Sequence, residues 1–163
     1  MLQRSRELTK QVCILEASIE AGAKEIIWIK DSLNEWDSKV GDGDCGTTMY
    51  RGAIAILEDM KKCHTHSIPL LSYPMNDVAE TVNEIGATRL EAGDDPLDAF
   101  IVSSEAALTG AESTRHMQAQ AGRSSYIAAD KLASAPDPGA MAAAAWYRAA
   151  ALSLKNMSCH SDP

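Results

Sequence analysis

Aromatic residues are scarce in this chain: 5% of its 163 residues, with a single phenylalanine. β-Strands draw heavily on aromatic and β-branched residues, and no stretch of more than about four residues alternates as a strand would. A basic stripe is also missing. Fifteen Lys and Arg stand against 23 Asp and Glu, for a net charge of −8, and only Lys61-Lys62 are adjacent. That balance excludes an electrostatic nucleic-acid binder. Binding an anion against this field requires a cation or local backbone dipoles.

The four cysteines, Cys13, Cys45, Cys63 and Cys159, form no CxxC pair. Their irregular spacing excludes a disulfide framework and fits a reducing compartment. Cys63-His64-Thr65-His66, even with Cys159-His160, matches no standard zinc spacing. No run approaches the roughly 18 apolar residues of a membrane span. Glu7, Lys10 and Glu16 interrupt any signal-peptide core, so the expected location is the cytoplasm. No repeat at a solenoid period is visible.

What is present is alanine, concentrated in the C-terminal half, and apolar residues at helical spacing. Alanine gives up no side-chain entropy in a helix, so the expected class is all-α, in one domain over residues 1–155 with a loose tail at 156–163. Val12, Leu15 and Ile19 predict an amphipathic helix over 5–30, continued by Ile26 and Ile29. Asp31-Ser32-Leu33 reads as a helix end or turn. Further helices are expected over 46–62, 76–85, 96–110 and 111–120, with a connector at 63–74. Gly93-Asp94-Asp95-Pro96 is a turn with proline opening the next helix. Ala135-Pro136-Asp137-Pro138-Gly139 is a loop feeding a last helix over 140–154, with Asp137 as N-cap and Trp146 and Leu152 inside.

The stretch that departs from this pattern is Asp37-Ser38-Lys39-Val40-Gly41-Asp42-Gly43-Asp44-Cys45-Gly46-Thr47-Thr48. Carboxylates this close repel unless a cation sits among them, and glycines this dense lose backbone entropy unless an unusual turn needs them. Counting from Asp42, a calcium loop would need a ligand at Gly46 and a glutamate at Ala53, so that pattern fails. A Walker A loop lacks its lysine. Two readings remain. One is a Mg²⁺–phosphate site, with Asp37, Asp42 and Asp44 as oxygen ligands and the amides of Cys45, Gly46, Thr47 and Thr48 facing phosphate from a helix N-terminus. The other is a solvated acidic turn with a helix cap. Carboxylates around Cys45 should raise its thiol pKa, so its amide rather than its sulfur is the expected contributor.

The run from Leu33 to Thr48 resembles the signature of the L domain of dihydroxyacetone kinases. Gly122-Arg123-Ser124-Ser125-Tyr126 and Asp137-Pro138-Gly139-Ala140 resemble two further segments of that family, in the same order. The resemblance spans about Leu15 to Leu154 and is closest to the C-terminal domain of the single-chain ATP-dependent kinases. It implies an up-and-down barrel of antiparallel helices with ATP or ADP at one end. It also implies a pair of Mg²⁺ ions on Asp37, Asp42 and Asp44, with Cys45, Gly46, Thr47, Thr48, Asp137, Pro138 and Gly139 around the nucleotide. Arg123 would face the phosphates and stabilise charge during transfer. The acceptor would be a short ketose on a separate K domain, and a homodimer is compatible with the family.

The sequence departs from the family at Gly86-Ala87. There a glycine-rich turn and further helices are expected, but the chain runs directly into Thr88-Arg89-Leu90-Glu91-Ala92-Gly93. An internal shortening by about two helices near 87–88 follows, with apolar faces left on their neighbours. The alternative to a kinase domain is a catalytically impaired form acting as a helical interaction or regulatory module.

Overall fold

Helix-forming runs with few breakers leave the chain one way to satisfy its backbone. In the computed structural model every regular element is helical. The structure describes residues 2–62, 76–119 and 123–159; the expected connector at 63–74 and Gly122 lie outside them. Among the described residues, α1 (Leu2–Trp28), α2 (Lys30–Val40), α3 (Cys45–Lys62), α4 (Asn76–Glu91), α5 (Pro96–Ser113), the short α6 (Ala129–Leu132) and α7 (Pro138–Cys159) follow in order. Two 3-10 turns, Thr114–His116 and Arg123–Tyr126, interrupt them.

α1 runs antiparallel to α7. Ser153 Oγ reaches the Ala17 carbonyl, and the Trp146 ring lies over Gly22, where a Cβ would come within 2.5 Å of it. From this central pair the packing extends in two directions, through α3 to α2 on one side and through α5 to α4 on the other. The interior is lined mainly by small side chains: Ala23, Ala53, Ala107, Ala111, Ala142, Ala143 and Ala144, with Ile26, Leu33, Val82 and Met141 between them. Small contact residues let helix axes approach closely. This explains how so few aromatics suffice.

Five local expectations are corrected. Asp31-Ser32-Leu33 is not a turn but the start of α2. Only Ile29 leaves helical geometry, and the bonds from Ile29 N–H to the Glu25 carbonyl and from Leu33 N–H to the Ile29 carbonyl carry the ladder past it. Leu33 is fully buried, and that burial outweighs the weak helix propensity of Asp31 and Ser32. Gly110 does not end α5, which continues to Ser113 before the 3-10 turn. The last helix continues to Cys159, so 156–159 are helical rather than loose, and Leu152 is exposed while Trp146 is half-buried. On α1 the expected apolar stripe is covered only in part: Ile26 is buried, but Val12 and Leu15 are 46% and 57% exposed.

The unusual junction at Gly86–Arg89 lies within α4 and does not break it. The helix runs past its expected end at Ile85 to Glu91 and stops at the expected turn. Gly93 takes φ +90°, Asp94 N–H bonds back to the Arg89 carbonyl, and the Arg89 guanidinium meets the Asp94 carboxylate at 2.8 Å. Asp95 then caps α5 by accepting from the amides of Leu97 and Asp98. No helix among the described residues is long and apolar enough to cross a membrane.

Candidate metal and phosphate site

The acidic loop links two antiparallel helices, and α2 holds the start of α3 from the side. Asp37 Oδ2 accepts from the amides of Asp44 and Cys45, at 2.9 and 3.0 Å. One turn earlier, Asn34 Oδ1 accepts from the Thr47 amide at 3.0 Å, and Asn34 Nδ2 donates to Thr47 Oγ1 at 3.0 Å. Gly43 takes φ +81°, a left-handed conformation that glycine adopts without strain. Gly46 is required for a different reason. A Cβ there would run into the Lys30 carbonyl oxygen and lie 2.9 Å from Asn34 Oδ1.

This folding gathers the three predicted carboxylates. One oxygen from each of Asp37, Asp42 and Asp44 lies within 4.8 Å of the others, with Asp37 half-buried and the other two exposed. The donor set is hard oxygen, which suits Mg²⁺ rather than a thiolate-seeking metal. Cys45 is no competing ligand. Burial first, then the carboxylates of Asp37, Asp137, Asp44 and Asp42, push its thiol up to about 11, so it stays protonated.

The four amides singled out at the start of α3 are not equivalent. Those of Cys45 and Thr47 are held by Asp37 and Asn34, and that of Thr48 donates to the Asp44 carbonyl at 2.9 Å as the first helical bond. Among the described residues only the Gly46 amide of this group makes no hydrogen bond, and the exposed Thr48 hydroxyl makes none either. Asn34 is a residue that spacing alone did not single out; its position three residues before Asp37, on the same helix face, was the available signal.

The second predicted segment arrives from across the chain. Asp137 lines the same cavity as Val40, the last residue of α2 before the acidic loop, and its charge adds to the rise of the Cys45 thiol. Asp137 Oδ1 caps α7 through the Ala140 amide at 2.7 Å, Pro138 is the first helical residue and is buried, and Gly139 follows within the first turn. Thr114, at the end of α5, fixes the turn. Its Oγ1 accepts from the Asp137 amide at 2.8 Å and donates to the Ala111 carbonyl. Arg115 adds a bond from Nη1 to the Ser134 carbonyl. A cavity of about 500 Å³ opens here, bounded by Val40, Ala107, Thr114, Met117, Pro136 and Asp137 among others. Its walls are mostly apolar, and it joins the end of α2 to the start of α7. Arg123 opens the 3-10 turn Arg123–Tyr126; its side chain lies outside the described set.

The fold defines the class: an all-helical domain with an acidic loop at the start of α3 and an apolar cavity at the end of α2. The model of the DAK2 domain matches residues 71–152, and the chain belongs to that family. A putative 3,4-dihydroxy-2-butanone kinase of Solanum lycopersicum is 46% identical over 94% of this chain and 37% of its own length. The triokinase/FMN cyclase of Homo sapiens is 28% identical over 80% of this chain and 33% of its own length. Dihydroxyacetone kinase 2 of Saccharomyces cerevisiae is 27% identical over 77% and 32%. The chain thus spans about a third of the length of the curated relatives it matches. The plant alignment runs over 228 positions, whereas 94% of 163 residues is about 153, so about 75 positions have no counterpart here. The human alignment, 193 positions against about 130 residues, leaves about 63. No solved structure matches the chain.

Proposed function

We propose that this chain is the nucleotide-binding part of an ATP-dependent kinase that phosphorylates a short ketose of the dihydroxyacetone type, held on a separate K domain. The observation that supports the reading is the Asp37–Asp42–Asp44 cluster in the loop after α2, together with a cavity that Val40, the last residue of α2, and Asp137 both line. Asp37, with Asp42 and Asp44, would hold Mg²⁺, as a pair of ions in the fullest form of the site. The metal supplies charge neutralisation for the β- and γ-phosphates of ATP. The chain's own residues do the rest. The Gly46 amide and Thr48 hydroxyl donate to phosphate oxygens, the Cys45 and Thr47 backbone shapes the turn beneath them, and the apolar cavity behind Asp137 takes the base. Arg123, in the segment that resembles the family's G-R-x-S-Y run, would stabilise charge on the moving phosphoryl group. Phosphoryl transfer needs little covalent participation from the protein, so positioning and electrostatics are the whole contribution. Cytoplasmic placement fits a protonated, unpaired Cys45.

A second reading keeps the family and removes the activity. The positions left without counterpart by the alignments, about 63 to 75, have room for two or three helices of the 18 to 22 residues seen in α5 and α7. Together with the sequence departure at Gly86-Ala87 and the exposed Val12 and Leu15, they support an internally shortened domain, a helical interaction or regulatory module. A coupled assay with ATP, Mg²⁺, dihydroxyacetone and an added K domain separates the two. Turnover that Asp42→Ala abolishes is the expected result; turnover no higher than that of the Asp42→Ala variant would leave only the second reading.

A further inference from the structure

The Asn34 side chain bonds not to the carboxylates but to the polypeptide that follows them. Its side-chain amide forms two bonds to one residue, taking the Thr47 N–H at Oδ1 and giving Nδ2–H to Thr47 Oγ1. With Asp37, three residues later, it forms a clasp. Two carbonyl-type oxygens on one face of α2 bind the amides of Asp44, Cys45 and Thr47. The buried Gly46 between them lets α3 approach so closely that no side chain fits.

We propose that Asn34 is a positioning residue of the phosphate-facing turn, and that Thr47 is its structural partner rather than a phosphate ligand. The physical reason is competition for donors. The Thr47 N–H is already given to Asn34 Oδ1, and its hydroxyl oxygen accepts from Asn34 Nδ2, which holds it against α2, whereas the Gly46 amide and Thr48 hydroxyl, unpaired among the described residues, are left for an oxyanion. Holding Thr47 fixes the direction of both neighbours before a ligand arrives, so less ordering is required on binding. This deepens the proposed nucleotide site and rests on it.

The test is calorimetric titration of Mg²⁺-ADP into the chain and its variants, with circular dichroism confirming the helices. Asn34→Ala should weaken binding about tenfold, as expected for two modest hydrogen bonds. Thr47→Val, which removes only the hydroxyl and leaves a side chain of similar shape, should weaken it about threefold. The double variant should bind no more weakly than Asn34→Ala alone, because the hydroxyl acts only through Asn34. Thr48→Val should weaken binding with no coupling to Asn34. If Asn34→Ala binds as well as or better than the parent, or if the Asn34 and Thr47 losses add, Thr47 contacts phosphate directly and the proposal is overturned while the nucleotide site stands. A parent chain that takes up no Mg²⁺-ADP overturns both. Should Asn34→Ala lose its helical signal, the coupling of Thr47→Val to Asn34→Ser, a variant with a shorter hydrogen-bonding side chain, decides in the same way.

Discussion

Asp37 has two tasks. Its Oδ2 caps α3 through two amides, and its carboxylate is part of the cluster with Asp42 and Asp44. Asp42 is exposed and lies outside the capping bonds. Removing each should therefore read differently. Asp37→Ala should lower stability by about 1–3 kcal/mol through lost capping and charge-assisted bonds. Asp42→Ala keeps those two bonds and relieves repulsion within the cluster, so it should cost clearly less than Asp37→Ala. Urea titrations without metal check this, and Mg²⁺ should stabilise the parent but neither variant. Cys45 offers a second residue-level test. Its thiol is raised from 9.0 to about 11, so in the folded protein it holds its proton where the unfolded chain begins to release it. The stability this confers is present below about pH 9 and is lost as pH rises towards 11. At pH 8.5, iodoacetamide should alkylate the exposed Cys13 at least tenfold faster than Cys45, by peptide-resolved mass spectrometry, and unfolding in urea should bring the two rates together.

The α2–α3 hairpin is the element on which the site depends, and its weak point is Gly46. A β-carbon there collides with backbone, the Lys30 carbonyl, which no rotamer change relieves. Gly46→Ala should cost about 1–3 kcal/mol as an overpacked contact and should abolish metal-dependent stabilisation, because α3 moves away from Asn34 and Asp37. Gly52, on the same helix with open space around its Cβ position, is the control. Gly52→Ala should be neutral or stabilise by up to about 1 kcal/mol. Thermal melts of the two variants, with and without Mg²⁺, give the comparison. At this scale the hairpin's end at Gly41–Asp44 was legible from its glycines and aspartates, but α2 was not. Asp31 and Ser32 are turn-formers by local preference, and only the burial of Leu33 makes them helical.

Across the whole molecule, the chain forms a row of helices built outward from the α1–α7 pair, and its interior relies on alanine. Large buried side chains are few. Among the described residues Leu33 is the bulkiest that is fully enclosed, so Leu33→Ala should cost about 2–5 kcal/mol in urea unfolding, a large part of the total for a domain of this size. The cavity between α2, α5 and α7 exists only because segments far apart in sequence meet: Val40, Thr114 and Asp137 share it.

The amino-acid sequence by itself determined the helical class, through alanine content and apolar spacing, and it marked the Asp37–Thr48 loop, because three carboxylates and three glycines so close together are costly without a purpose. It also marked the Asp137-Pro138 helix start, whose chemistry is local. What only tertiary structure decided is which donors remain for a ligand. The amides of Cys45 and Thr47 look available in a linear reading; in space they are taken by Asp37 and Asn34 from the facing helix. Hydrogen bonds between helices depend on how closely the two backbones approach, and that distance is set by a glycine and by packing, neither of which a residue pattern can measure.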